Sequence, residues 1–335
     1  MPDQSPAIAA RNMLMGFRGT HLLYVMAELG VADLLAAGPR KSADLAADLA
    51  ADGDALHRVL RALAQLGVLD QGPDGAFALT PVGDCLRADH PDSLRPTARL
   101  WGHEMFQRAW GNLLHTVRTG ETAFDSVFGM TAFAYLDANP DAAAIYNQFM
   151  ANRPAATPAV ATAYDFAPFS TIVDVGGGNG SLLAEILGVY PGPRGVIFDL
   201  PHSRPDAEEM IRTAGLSDRA RFDGDDFFAR VTAGADCYVL RHIIHDWDDA
   251  RAVEILRVCR RAISPGGRLL LIELLLPDDG DPGVETVMLD ITMLARIGGR
   301  ERTESEYRAL LDQSGFRLDW VIPTQRNAIL ECIPV

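Results

Sequence analysis

The chain has 335 residues, of which 48% are hydrophobic and 22% charged, and its formal net charge is −15. This is the profile of a folded globular protein long enough for two cores. Its acidity excludes a surface built to hold nucleic acid or anionic lipid.

The opening "MPDQSPAIAARNML" has no basic stretch followed by an apolar core, so no secretory leader is expected. No apolar run reaches the roughly 18 residues of a membrane-spanning helix. From residue 7 to about 165 the pattern is mostly helical. "HLLYVMAELGVADLLAAG" sets Leu22, Leu23, Met26, Leu29 and Val31 on one stripe. "KSADLAADLA" offers Ser42 as N-cap, with Leu45 and Leu49 four residues apart. "GDALHRVLRALAQLG" is a third helix that stops at Gly67, and "VLDQGPDGAFALT" reads as a hairpin. Helix, helix, helix, hairpin is the order of a winged helix. A helical stretch rich in aromatics follows, and Phe166 to Ser170 read as a linker. The expected divisions are 1–100, 101–165 and 166–335.

Beyond the linker the strands "TIVDV", "GVIFDL", "DCYVLR" and "RLLLIE" alternate with helical segments. That alternation predicts an α/β, doubly wound parallel sheet from about 165 to the end. Cys85, Cys237, Cys259 and Cys332 stand far apart with no CxxC pair. They read as reduced thiols of a cytoplasmic protein, not as a disulfide frame or zinc site.

"TIVDVGGGNGSL" carries the strongest local signal. The dinucleotide fingerprint GxGxxG fails in its strict form, because Ser181 stands at the sixth position counted from Gly176. What remains is Asp174 followed by Gly176, Gly178 and Gly180 at alternate positions. A carboxylate there is poorly placed for a pyrophosphate and well placed for a ligand carrying ammonium or sulfonium charge. S-adenosylmethionine has both charges and no phosphate. Asp199 ends the next strand, where an acid holds a ribose diol. In "GDDFF", Asp226 and Phe227 are suited to an adenine amino group and ring face. "HDWDD" puts His245 just after the strand "DCYVLR", at the sheet edge where such folds bind ligands; Asp246 or Asp248 is expected to cap the helix that follows.

"VDVGGGNG", "FDLPH", "GDDFF", "LRHIIHDWDD", "PGGRLLLIELLLP" and "GGRERTESEY" run in order at close spacing. Together they resemble the plant-type small-molecule O-methyltransferase family, which includes caffeic acid and hydroxyindole enzymes and bacterial antibiotic-tailoring relatives. The resemblance covers nearly the whole chain. It implies a class I methyltransferase sheet behind an N-terminal winged-helix dimerisation domain, hence a homodimer, and S-adenosylmethionine as methyl donor without a metal. It makes His245 the general base on the acceptor hydroxyl, flanked and oriented by Glu273 and Glu301. It puts Leu200, beside Asp199, and Arg241 near the donor. It puts Met150 and Met293 along the acceptor pocket, with Asp246 touching acceptor or donor. The sequence departs from the family at "MANRPAATP", where Pro154 falls near a frequent donor-contacting position.

Three rivals fare worse. A nicotinamide dehydrogenase lacks the third fingerprint glycine. A winged-helix regulator would need dense basic residues, yet residues 1–100 hold nine Arg and Lys against twelve Asp and Glu. Same-fold hydroxylases and decarboxylases tend to lose the histidine that is present here as His245. The acceptor is expected to be a small aromatic with a phenolic hydroxyl.

Overall fold

The computed structural model describes residues 5–151, 157–325 and 327–335. The chain divides into two compact units, Met1–Asn112 with Val127–Pro154, and Leu113–Ser126 with Ala155–Val335. Among the described residues no helix is long and apolar enough to cross a membrane.

In the first unit, helices Phe17–Leu29, Ser42–Asp48 and Gly53–Gln65 precede the hairpin of β1 (Leu69–Gln71) and β2 (Phe77–Leu79). Met26, Leu45, Leu60, Leu63 and Phe77 meet in one buried cluster. The hairpin closes because Asp74 accepts the Ala76 N–H at 3.1 Å and the Gly72 N–H reaches the Ala76 carbonyl at 2.8 Å. Ser42 is not the cap expected of it. Lys41 occupies the N-cap position, and the Ser42 hydroxyl pairs with His57 Nδ1 at 3.0 Å instead. A neighbouring helix outcompeted the local turn for that hydroxyl.

The second unit is built on a seven-stranded sheet. Its strands are β3 (Thr171–Val175), β4 (Arg194–Asp199), β5 (Ala220–Gly224), β6 (Cys237–Arg241), β7 (Arg268–Glu273), β10 (Phe316–Pro323) and β11 (Ala328–Pro334), in the order β10-β11-β7-β6-β3-β4-β5. The five strands from β7 to β5 run parallel. Both faces of their centre are buried: Val173, Val175, Tyr238 and Leu240 pack on one side, Ile172, Cys237 and Val239 on the other. The expectation of a parallel sheet to the end is corrected at β11, which pairs antiparallel with both β7 and β10. Only a two-stranded excursion through a hairpin, not a crossover helix, separates the last strands, so they must alternate in direction. Phe166 is likewise no linker residue. It is fully buried among Tyr164, Phe169 and Tyr190.

Two features of this topology position the site. From β3 the chain winds outward through β4 to β5 and returns to β6 on the other side of β3, so the carboxyl ends of β3 and β6 open on a switch point. A further pair, β8 (Leu275–Leu276) and β9 (Arg302–Thr303), runs parallel beyond the end of β7. That pairing carries residue 301 back toward Glu273.

Candidate active site

The glycine turn after β3 is held mostly by backbone. Gly176 and Gly178 have φ of +69° and +55°, where only glycine is relaxed. A Cβ at Gly176 would come to 2.4 Å from Ile243, whereas at Gly178 it would meet nothing within 4 Å. The turn is thus packed on one side and open on the other. Asp199, at the end of β4, accepts the Gly178 N–H at 2.7 Å through one oxygen and the Leu200 N–H at 2.6 Å through the other. Asp174 lies beneath the turn, almost fully buried, and its Oδ2 has no hydrogen-bond partner. Burial pushes its carboxyl up to about 7, although Arg241 works against the rise. Leaving such an oxygen unmatched is costly unless a ligand supplies the donor. Phe227 lies alongside, within 3.8 Å of the same Gly176 Cβ position and edge-on to Trp247.

The turn after β6 carries His245, whose side chain is 4% exposed. Its Nδ1 faces Glu301 Oε1 at 2.8 Å, its Nε2 lies 3.3 Å from Asp246 Oδ1, and Glu273 Oε2 stands 4.0 Å from Nδ1. Glu273 is fully buried at the end of β7. One oxygen accepts the Ile244 N–H at 2.9 Å and the other has no hydrogen-bond partner. Burial pushes Glu273 up to about 7, partly countered by His245. Burial also drives the His245 pKa down, but Asp246, Glu273 and Glu301 outweigh it and hold the imidazole at about 9. With Nδ1–H donating to Glu301, a neutral imidazole carries its lone pair at Nε2. The arrangement can take a proton at Nε2 and offset the resulting charge with the surrounding carboxylates.

The O-methyltransferase domain family matches residues 110–317, and the O-methyltransferase dimerisation domain matches 12–89. The chain belongs to the O-methyltransferase family. Phenazine O-methyltransferase PhzM of Lysobacter antibioticus is 43% identical over 97% of this chain and 95% of its own. The O-demethylpuromycin-O-methyltransferase of Streptomyces alboniger is 42% identical over 91% and 82%. Among solved structures, the O-methyltransferase NcsB1 from neocarzinostatin biosynthesis, in complex with S-adenosylmethionine and 2-hydroxy-5-methyl naphthoic acid, superposes with a TM-score of 0.86 at 32% identity, covering 95% of this chain and 96% of that one.

In this O-methyltransferase the expected residues gather in two places on one sheet edge. Asp174, Gly176, Gly178, Asp199, Leu200 and Phe227 surround the glycine turn, and Asp226 begins the bend beyond β5, where it accepts the Phe228 N–H at 2.9 Å. Arg241 ends β6 and lowers the Asp174 carboxyl electrostatically. Asp246, Glu273 and Glu301 enclose His245. Met293 is buried on the helix Val284–Arg296, while Met150 is 40% exposed and belongs to the first unit. Pro154 lies outside the described residues. Asp248, not Asp246, caps the helix Asp249–Ala262, accepting the Arg251 N–H at 2.9 Å. His242, His245 and Glu273 offer ligand atoms within 4.8 Å of one another, though Nδ1 of His245 is already committed to Glu301.

Sequence reasoning missed three contributors. Asp290 accepts the Glu301 N–H at 2.8 Å. Gly299 lets the segment before β9 approach the His245 turn, since a Cβ there would lie 2.1 Å from the His245 carbonyl. Arg302 is fully buried. The only signal for the last two was their place beside Glu301 in "GGRERT".

Proposed function

We propose that this O-methyltransferase carries the methyl group of S-adenosylmethionine to the phenolic hydroxyl of a small aromatic natural product, with His245 as general base. The observation that supports the reading is the buried His245–Glu301 pair at 2.8 Å; with Nδ1–H donating to Glu301, Nε2 is the basic nitrogen. When bound, S-adenosylmethionine supplies an electrophilic methyl on a sulfonium. The unpartnered Asp174 oxygen fits its cationic groups, Asp199 and Leu200 its ribose, and Asp226 and Phe227 its adenine. The electrophile brings its own positive charge, so no metal is required to activate it. Asp246 and Met293 meet the acceptor.

His245 Nε2 accepts the hydroxyl proton as the oxygen attacks. Glu301 fixes the ring, and Glu273 holds the Ile244 N–H that starts its turn. A phenol of pKa near 10 costs roughly 4 kcal/mol to ionise at neutral pH. A positioned base returns about 10²–10⁴-fold in rate, and in-line positioning on the order of 7–11 kcal/mol. Geometry therefore outweighs basicity. The winged-helix unit pairs two copies: Met13, Leu14 and Phe17 expose apolar surface at its start, inside or beside the matched dimerisation segment. Free cysteines throughout fit a reducing cytoplasm.

The test is transfer of labelled methyl from S-adenosylmethionine to a panel of phenolic acceptors, beside calorimetric binding of the donor. His245→Ala should lower turnover roughly 10²–10⁴-fold and leave donor affinity nearly unchanged. Near-normal turnover in that variant removes His245 from the base role. Donor binding without label transfer would favour a non-methylating tailoring reaction.

A further inference from the structure

We infer that Arg302 is a positioning residue for the base, its buried guanidinium locking the turn that carries His245; this rests on the reading of His245 as base. The segment 299–302 crosses directly over 244–249. Arg302 Nη1 donates to the Ile244 carbonyl at 3.1 Å, and Nη2 donates to the Trp247 carbonyl at 2.7 Å. Nη2 and Nε both reach Asp249 Oδ1, at 2.8 and 3.1 Å. Between these two carbonyls, the Arg300 N–H takes the His245 carbonyl at 2.8 Å. Three carbonyls of the turn, those of residues 244, 245 and 247, are thus held by donors of two residues, Arg300 and Arg302, and the residue between them, Glu301, pairs with the imidazole itself.

Stability alone does not call for this arrangement. A fully buried cation costs desolvation, and a well-packed apolar side chain of like volume serves a fold as well or better. The planar fork does what an apolar side chain cannot, spanning two carbonyls and a carboxylate in fixed geometry. Its counter-ion Asp249 is 61% exposed on its side chain, so the clamp is anchored at the surface and acts inward. Asp290 supports the same segment through the Glu301 N–H. With backbone and ring each pinned, the orientation of Nε2 is set before the acceptor arrives.

The test compares Arg302→Lys, which keeps the charge and loses the fork, with Asp249→Ala, which removes the anchor without opening the core. Each is measured for kcat, acceptor KM, donor binding by calorimetry, melting temperature, and the downfield proton resonance of the His245–Glu301 bond. For Arg302→Lys, kcat should fall on the order of 10²-fold, the penalty typical of an ångström-scale misplacement, with donor affinity within about twofold and the resonance lost or shifted. Asp249→Ala should follow in the same direction and by less. Wild-type kcat with an unchanged resonance in both variants overturns the inference. So does a loss in which kcat, donor affinity and melting temperature decline together, the mark of a merely structural pair. His245→Ala run alongside separates the two readings: near-normal turnover there sinks the base assignment and this inference with it, whereas a collapse there beside a normal Arg302→Lys overturns the inference alone.

Discussion

The glycine-turn edge and the His245 edge of the second unit, proposed above to hold the donor and the base, are built on opposite plans. Around the glycine turn, the backbone that shapes the site comes from one stretch, Thr171 to Leu200, with Phe227, Arg241 and Ile243 added from two later segments, and most of the work is done by backbone and by the absence of side chains. Around His245, the groups come from four places, the turn after β6, the end of β7, the helix Val284–Arg296 and the approach to β9, and nearly all the work is done by buried charge. The first plan tolerates a ligand that comes and goes, since its shape is fixed by strand pairing. The second depends on several segments arriving together, so a small shift in any of them moves the His245 imidazole.

That contrast predicts a clean separation of effects. The largest is at the base: His245→Ala should reduce kcat by roughly 10²–10⁴-fold while calorimetry finds donor binding intact. Next, Gly176→Ala should act on the donor side. Its φ of +69° and the 2.4 Å approach to Ile243 make the change cost about 1–3 kcal/mol, read as weaker donor affinity with the pH profile of turnover unmoved. A Gly176→Ala enzyme with altered pH dependence would blur the two plans. Third, the imidazole must be neutral to accept a proton, and three carboxylates hold its pKa at about 9. At saturating donor and acceptor kcat should therefore rise with pH and level off near that value, and Asp246→Asn should bring the midpoint down toward the ordinary range. A midpoint unmoved by Asp246→Asn would show that the charge cage does not set it. The same raised pKa stabilises the fold fully below the unfolded imidazole's 6.5 and loses that contribution as pH climbs through about 9. Smallest is Asp248→Ala, which removes a cap from the helix Asp249–Ala262. It should cost about 1 kcal/mol in thermal or denaturant unfolding.

The legibility of the two edges differs for the same reason. The glycine turn could be read from "TIVDVGGGNGSL" because its backbone conformation is set locally, although Asp199 and Ile243 also hold it from a distance. The strands β3, β4, β6 and β7 announced themselves as mostly apolar runs, interrupted in β3 by Asp174, as strands buried on both faces tend to be. β5 did not, since Arg221 and Asp223 interrupt it and only Phe222 is buried. The direction of β11 is invisible in its residues, because apolar alternation is the same whichever way a strand points. At the base, His245 and Glu301 were recognisable from motif order alone, fifty-six positions apart in sequence. Arg302 was not, because an arginine in a polar run reads as surface, and only the carbonyls of a distant turn give it a reason to be inside. Asp290 sat among helix residues with nothing to mark it as the acceptor of an N–H eleven positions later.

β11 has a consequence for how the molecule comes to be made. It is the latest strand in chain order, yet it lies between β7 and β10, with Ala328 paired opposite Glu273. While a ribosome is still delivering residues 316–334, the strand that ends in Glu273 has a bare hydrogen-bonding flank. The nascent sheet must wait for its final insertion, leaving an interval in which a chaperone, or the matching strand of another newborn chain, could occupy the gap.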